Sequence, residues 1–304
     1  MKRQSPARRN SPRISPECKN AQAFSQLRRE TMSTGEIDTG TEQLICEVRE
    51  GVATITLNRP ESRNALGDTI TPALRRQIKE RAADPDVGAL MITGAGTAFC
   101  AGGDVKGMGS GRPATEMTSD QKIAQLKERQ RTLTGVLVGV RKPTLAALPG
   151  PAAGAGLSIA LACDMRIAAE SAFVSTGYAR VGLSGDYGIT WLLTRLVGTA
   201  RAREMMYTAA RLDSATCERL GLVNRVVPDD RFREDAFELA RTLANGPAVA
   251  LGRMKDNLDD ALTQPFLTAL DGEAERLIEV TQTEDHKEAV RAFIEKRSPN
   301  FKGR

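Results

Sequence analysis

Two glycine-rich segments, MITGAGTAFCAGGDV at 91–105 and GPAAGAGLSIALACD at 150–164, each follow a short apolar run. Loops poor in side chains at strand ends free backbone N–H groups to point at a ligand. A pair of such donors suits an oxygen that gains negative charge in a transition state, the chemistry of an oxyanion hole. One glycine-rich stretch alone reads better as close packing of strand on helix; two in this order favour the hole. A dinucleotide-binding turn is a third reading, because Gly94-Ala95-Gly96 follows a strand-like run, but it fails at Phe99, where the fingerprint needs glycine. Further on, Asp186 stands before a glycine and the apolar run Ile189 to Val197, the place of a helix N-cap. The residue three positions on is Ile189, so no capping box is completed.

Positioning two such loops takes strands and helices in alternation. LICEV (44–48) and VATITLN (52–58) flank Glu50-Gly51, a dipeptide suited to a tight turn, and predict a hairpin. A helix is expected after Ala65. ALMIT (89–93), TLAAL (144–148) and MRIAA (165–169) have the length of buried strands, and each adjoins a helical pattern. Residues 121–140 read as helix, and 106–120, rich in Gly, Ser, Pro and Thr, as a mobile loop. After Asp186 the pattern is helical almost to the end, with breaks at Pro228, Gly246-Pro247 and Pro265. The expected fold class is α/β with a helical C-terminal region. The expected divisions are a disordered basic tail and leader at 1–43, a core at 44–228 and a helical region at 229–304.

Composition bounds the function. A 304-residue chain that is 40% apolar buries a sizeable core. The net charge of +5 invites a nucleic-acid reading, but residues 1–31 carry +6 and the rest −1, so the basic character belongs to a Ser/Pro/Arg-rich tail whose composition predicts disorder. Met32 opens a more ordinary N-terminus, which leaves two readings of the tail: an upstream start codon, or a transit-peptide-like or interaction segment. Cys18, Cys46, Cys100, Cys163 and Cys217 are scattered and odd in number, with no CxxC; neither disulfides nor a metal site is expected, and a reducing, cytoplasmic setting fits. A mitochondrial location follows only if the tail is a transit peptide. No apolar run reaches the roughly 20 residues needed to cross a bilayer. Neither nucleic acid nor membrane is an expected partner.

The FCAGGD and GxxxGAGxxxAxACD patterns resemble the enoyl-CoA hydratase/isomerase (crotonase) superfamily, and the resemblance covers roughly residues 44–304. VATITLNRPESRNALG (52–67), GLSGDYGITWLLTRLVG (182–198) and RLGLVNRVVP (219–228) echo it. The resemblance implies a spiral of ββα units followed by helices that form a homotrimer or hexamer. It also implies an acyl-CoA thioester as substrate, with no cofactor besides the coenzyme A that the substrate carries. By resemblance the oxyanion N–H groups belong to Gly103 and Ala155, and alanine at 155 is no obstacle because the donor is backbone. The coenzyme would run along Arg63, Ala65, Asp104, Val105 and Lys106, with Arg63 and Lys106 pairing with phosphates and Phe301 approaching the adenine.

The acid/base positions depart from the family pattern. Hydratases of the family carry two glutamates, and the matching positions here hold Ser158 and Tyr178. A serine hydroxyl alone is a poor general base near neutral pH. Asp186 matches an aspartate found in dienoyl-CoA and epoxyphenylacetyl-CoA isomerases and in chlorobenzoyl-CoA dehalogenase. A single carboxylate suffices to lift a proton from one carbon and return it two carbons along. The dehalogenase also uses a histidine, and the single histidine here, His286, falls in the C-terminal helical pattern and reads as solvated. Ser158 reads more simply as a small packing residue and Cys100 as a small buried residue; Tyr178 reads either as a group that orients substrate or donates a hydrogen bond, or as a packed tyrosine at a strand end. The expected activity is double-bond isomerisation, with hydration and non-catalytic acyl-CoA binding as the alternatives.

Overall fold

The computed structural model describes residues 35–103 and 117–304. The expectations for the tail, and those for Asp104, Val105 and Lys106, lie outside this range.

Aliphatic and β-branched runs form a seven-stranded sheet. Its strands are β1 (Gly35–Ile37), β2 (Leu44–Arg49), β3 (Val52–Leu57), β4 (Ala89–Gly94) and β5 (Thr144–Leu148), with two later strands beyond β5. A short β6 (Ala152–Ala153) precedes β7 (Met165–Ala169); β8 (Phe173–Ser175) and β9 (Leu212–Asp213) join β6 in a small second sheet, and β10 (Arg225–Val227) closes the large one. The β2–β3 hairpin is antiparallel, and the pairings from β3 through β4, β5 and β7 to β10 are parallel. Burial on both faces explains the continuous apolar runs: every residue of β4 and β5 is buried.

Alternation along the strands divides the core in two. Leu90 and Ile92 of β4 face one cluster, while Met91 faces the other. The first cluster is covered by α1 (Ile70–Ala83), which buries Ile70, Ala73, Leu74 and Ile78 at helical spacing. It is covered further by the π-helical turn (Arg131–Gly135) and α3 (Val136–Gly139), which follow α2 (Ser119–Gln130) and bury Leu133 and Leu137, and by α4 (Ala155–Ala162), buried on all sides. Beyond these come α5 (Ile189–Thr208) and α6 (Ser214–Arg219). The second cluster is covered by α7 (Phe232–Ala244), through Phe232, Ala236 and Ala240.

Two of the expected boundaries therefore move. Strand β1 pairs with β2, so residues 35–37 belong to the sheet and not to a leader ending at 43. Helix α7 packs on the sheet of its own chain, so the core runs past 228. The remaining helices are α8 (Ala248–Ala261), α9 (Phe266–Thr281) and α10 (Glu284–Glu295). They leave Leu258, Leu262, Phe266, Leu267, Leu277, Ile278, Phe293 and Ile294 exposed, an apolar face without cover in the single chain.

Candidate active site

Strand geometry lays the two glycine-rich loops side by side. Gly103 forms a parallel bridge with Leu66, and Cys100 one with Ala152. The Ala153 N–H donates to the Cys100 carbonyl at 2.9 Å, and the Leu66 N–H to the Gly102 carbonyl at 2.7 Å. The approach demands glycine at 102. Its φ of +97° lies in the left-handed region, and a Cβ there would stand 2.9 Å from the Ala153 carbonyl oxygen. Ala155 opens α4, where the first N–H groups have no acceptor within the helix. Neither the Gly103 nor the Ala155 amide donates to a backbone acceptor among the described residues.

Asn64, which the sequence reading passed over, locks the neighbouring loop. It is fully buried at φ +57°; its side-chain oxygen accepts from the Arg59 N–H at 2.8 Å, and its amide donates to the carbonyls of Ala95 (3.0 Å) and Ala98 (2.7 Å). The only cue in sequence was its place before Ala65 in RNAL.

Asp186 is not a helix cap. Gly188 holds the N-cap position of α5, with no side-chain capping bond, and Asp186 contributes only its carbonyl, which accepts from the Ile189 N–H at 3.2 Å. Its carboxylate accepts instead from the Tyr178 hydroxyl at 2.5 Å. Tyr178 is buried on the 3-10 turn Tyr178–Val181, past the end of β8. Burial, and next the hydrogen bond to Asp186, push its phenol well above the ordinary range, so it stays protonated and acts as donor. Burial pushes the Asp186 carboxyl up as well, and the Tyr178 bond offsets part of that rise. Ser158, fully buried behind the pair, lies 3.3 Å from the carbonyls of Gly154 and Asp186 and 3.5 Å from the Tyr178 hydroxyl. Tyr187, at φ +50°, donates its N–H to the Gln130 side chain at 2.9 Å and so ties the Asp186 loop to the end of α2.

A cleft of about 680 Å³ brings Gly103, Ala155 and Asp186 together, along with Tyr187, Leu66, and Arg75 and Arg129 from α1 and α2. Tyr178 and Ser158 support it from behind. Arg63, exposed at φ +51°, Ala65 and Phe301 do not line it. Ala65 is buried and its carbonyl accepts from Arg59 at 2.7 Å; Arg63 holds the first loop through its carbonyl, which accepts from the Ala101 N–H at 2.9 Å. Cys100 is fully buried, its thiol pushed up to about 12 by desolvation, and His286 is exposed.

A run of parallel strands with Gly103, Ala155 and the half-buried Asp186 lining one cleft matches an enzyme of the crotonase type. The chain belongs to the enoyl-CoA hydratase/isomerase family, whose model matches residues 47–304. A Rhodobacter capsulatus protein named "Probable enoyl-CoA hydratase" is 39% identical over 85% of this chain and 97% of its own. The 1,2-epoxyphenylacetyl-CoA isomerase of Escherichia coli is 35% identical over 86% and 99%. Among solved structures, an enoyl-CoA hydratase from Bacillus anthracis superposes with a TM-score of 0.79 at 30% identity, over 86% of this chain and all of that one. The protein is thus a crotonase-type enoyl-CoA hydratase or isomerase. No described helix is long and apolar enough to cross a membrane.

Proposed function

We propose that this enzyme shifts a carbon–carbon double bond within an acyl-CoA thioester. The observation that carries the reading is the meeting of Asp186, Gly103 and Ala155 at one cleft; the resemblance adds that Ser158 and Tyr178 stand where the family's hydratases carry glutamates. The Asp186 carboxylate takes a proton from the α carbon of a 3-enoyl thioester. The C–H electron pair moves into the thioester, and the oxygen that gains charge is held by the Gly103 and Ala155 N–H groups. Protonated Asp186 then returns the proton to the γ carbon, leaving the double bond conjugated. Tyr178 donates to the carboxylate throughout and fixes its direction. Coenzyme A enters as part of the substrate, and no other cofactor is required. Arg63, Ala65 and Phe301 then meet the coenzyme outside the cleft.

The hydratase name of the 39% identical relative favours addition of water as a second reading. Hydration needs one group to activate water and another to protonate carbon. Besides Asp186, the carboxylate at the cleft among the described residues is Asp68, whose side chain is 82% exposed. We further propose that the uncovered apolar face of α8–α10 is closed by other copies of the chain, in a trimer or hexamer. The test of enolate chemistry is exchange of the α proton into deuterium oxide, read by mass on a saturated acyl-CoA. Exchange lost in Asp186→Asn is the expected result; its absence from the parent enzyme would leave a non-catalytic binder.

A further inference from the structure

The cleft carries more positive charge than a plain alkyl chain would need. Arg75 and Arg129 both line it. Arg75 donates to the Arg129 carbonyl at 3.1 Å and faces the Tyr187 hydroxyl, while its Nε is buried without a hydrogen-bond partner, and no carboxylate pairs with it among the described residues. Arg129 has one acid nearby, Asp68, at 3.6 Å with 82% of that side chain exposed, a contact that water screens. An alkyl chain laid against these groups would strip water from a guanidinium and give nothing back. A carboxylate would give back the planar, paired acceptors that a guanidinium takes best.

We propose that the preferred substrate is an acyl-CoA whose acyl group ends in a carboxylate, received by Arg75 with Arg129 beside it. The proposal rests on reading this cleft as the acyl-CoA site. Tyr187 links the two regions: it faces Arg75 and directly follows Asp186 in the chain, so the anion-binding end adjoins the reacting end.

Saturated ligands, which have no double bond to move, separate this proposal from the reaction. The purified enzyme is titrated calorimetrically with adipyl-CoA, its distal methyl ester, hexanoyl-CoA and free CoA. Adipyl-CoA is expected to bind at least about tenfold more tightly than the methyl ester, in keeping with a charge-assisted pair. Arg75→Gln is expected to erase that difference while leaving hexanoyl-CoA and free CoA within about twofold, and Arg75→Lys to keep part of it. Equal binding of adipyl-CoA and its ester by the parent enzyme overturns the proposal, and needs no variant to fold. Equal weakening of free CoA and adipyl-CoA in Arg75→Gln also overturns it, by assigning the arginine to the coenzyme's phosphates. Discrimination without α-proton exchange would leave this proposal standing and remove the isomerase reading; exchange without discrimination would do the reverse.

Discussion

At the residue scale the account turns on Asp186. Asp186→Asn keeps the shape and the acceptor for the Tyr178 hydroxyl while removing the base, so turnover should fall on the order of 10²–10⁴-fold. Burial makes Asp186 hold its proton more tightly in the folded chain, so its ionisation opposes folding; that penalty is absent below the unfolded pKa and complete above the folded one. The Asn variant should therefore unfold within about 1 kcal/mol of the parent at neutral pH, or slightly later, in denaturant titrations. For the same reason the acid limb of kcat/KM should lie above the ordinary aspartate value of 3.8. Tyr178→Phe removes the bond that lowers this pKa, and should move the limb to still higher pH; an unmoved limb would separate Tyr178 from the base. Ser158→Ala should stay within a few fold, since the hydroxyl reaches only backbone carbonyls and the Tyr178 hydroxyl. Asp186 stood out in sequence by its resemblance to the aspartate of the family's isomerases, but its bond to Tyr178 did not. The chain between Tyr178 and Asp186 turns back through positive φ at Gly182 and Gly185, which local propensity does not announce.

At the scale of elements, the site depends on two loops forced together at Gly102. Gly102→Ala would place a methyl 2.9 Å from the Ala153 carbonyl at a φ that alanine resists. The expected outcome is a loss of about 1–3 kcal/mol in unfolding measurements, with turnover falling further than stability accounts for. A variant with parent-like kinetics would mean that the loops need not touch. The strands of this region were legible because parallel strands buried on both faces are continuous apolar runs, as in ALMIT and TLAAL. The short ones were not. Strand β10 is three residues inside a helical pattern, and β1 is GEI, so only their pairing with β7 and β2 defines them. The π-helical turn at 131–135 was likewise silent, since QKIAQLKERQRTLTGVLVGV keeps one apolar stripe through it.

For the whole molecule, the apolar residues of α8–α10 make association the expected state. Light scattering at micromolar concentration should give a multiple of 32.8 kDa, and a stable monomer would leave that face unexplained. Amphipathic spacing in 229–304 was visible in sequence, but which helices turn inward was not: α7 covers the sheet while α8 and α9 bury no residue in the single chain. The three have similar apolar content, and only the geometry after Pro228 assigns α7 to the core. Isomerisation by the intact enzyme is read from how its products partition. Matched 3-enoyl-CoA and 2-enoyl-CoA thioesters are incubated with the enzyme, and products are read by ultraviolet absorbance and mass. The account predicts conversion of the 3-enoyl ester to its conjugated isomer of unchanged mass, lost in Asp186→Asn. Faster formation from the 2-enoyl ester of a product heavier by one water, or full isomerisation by Asp186→Asn, would contradict it.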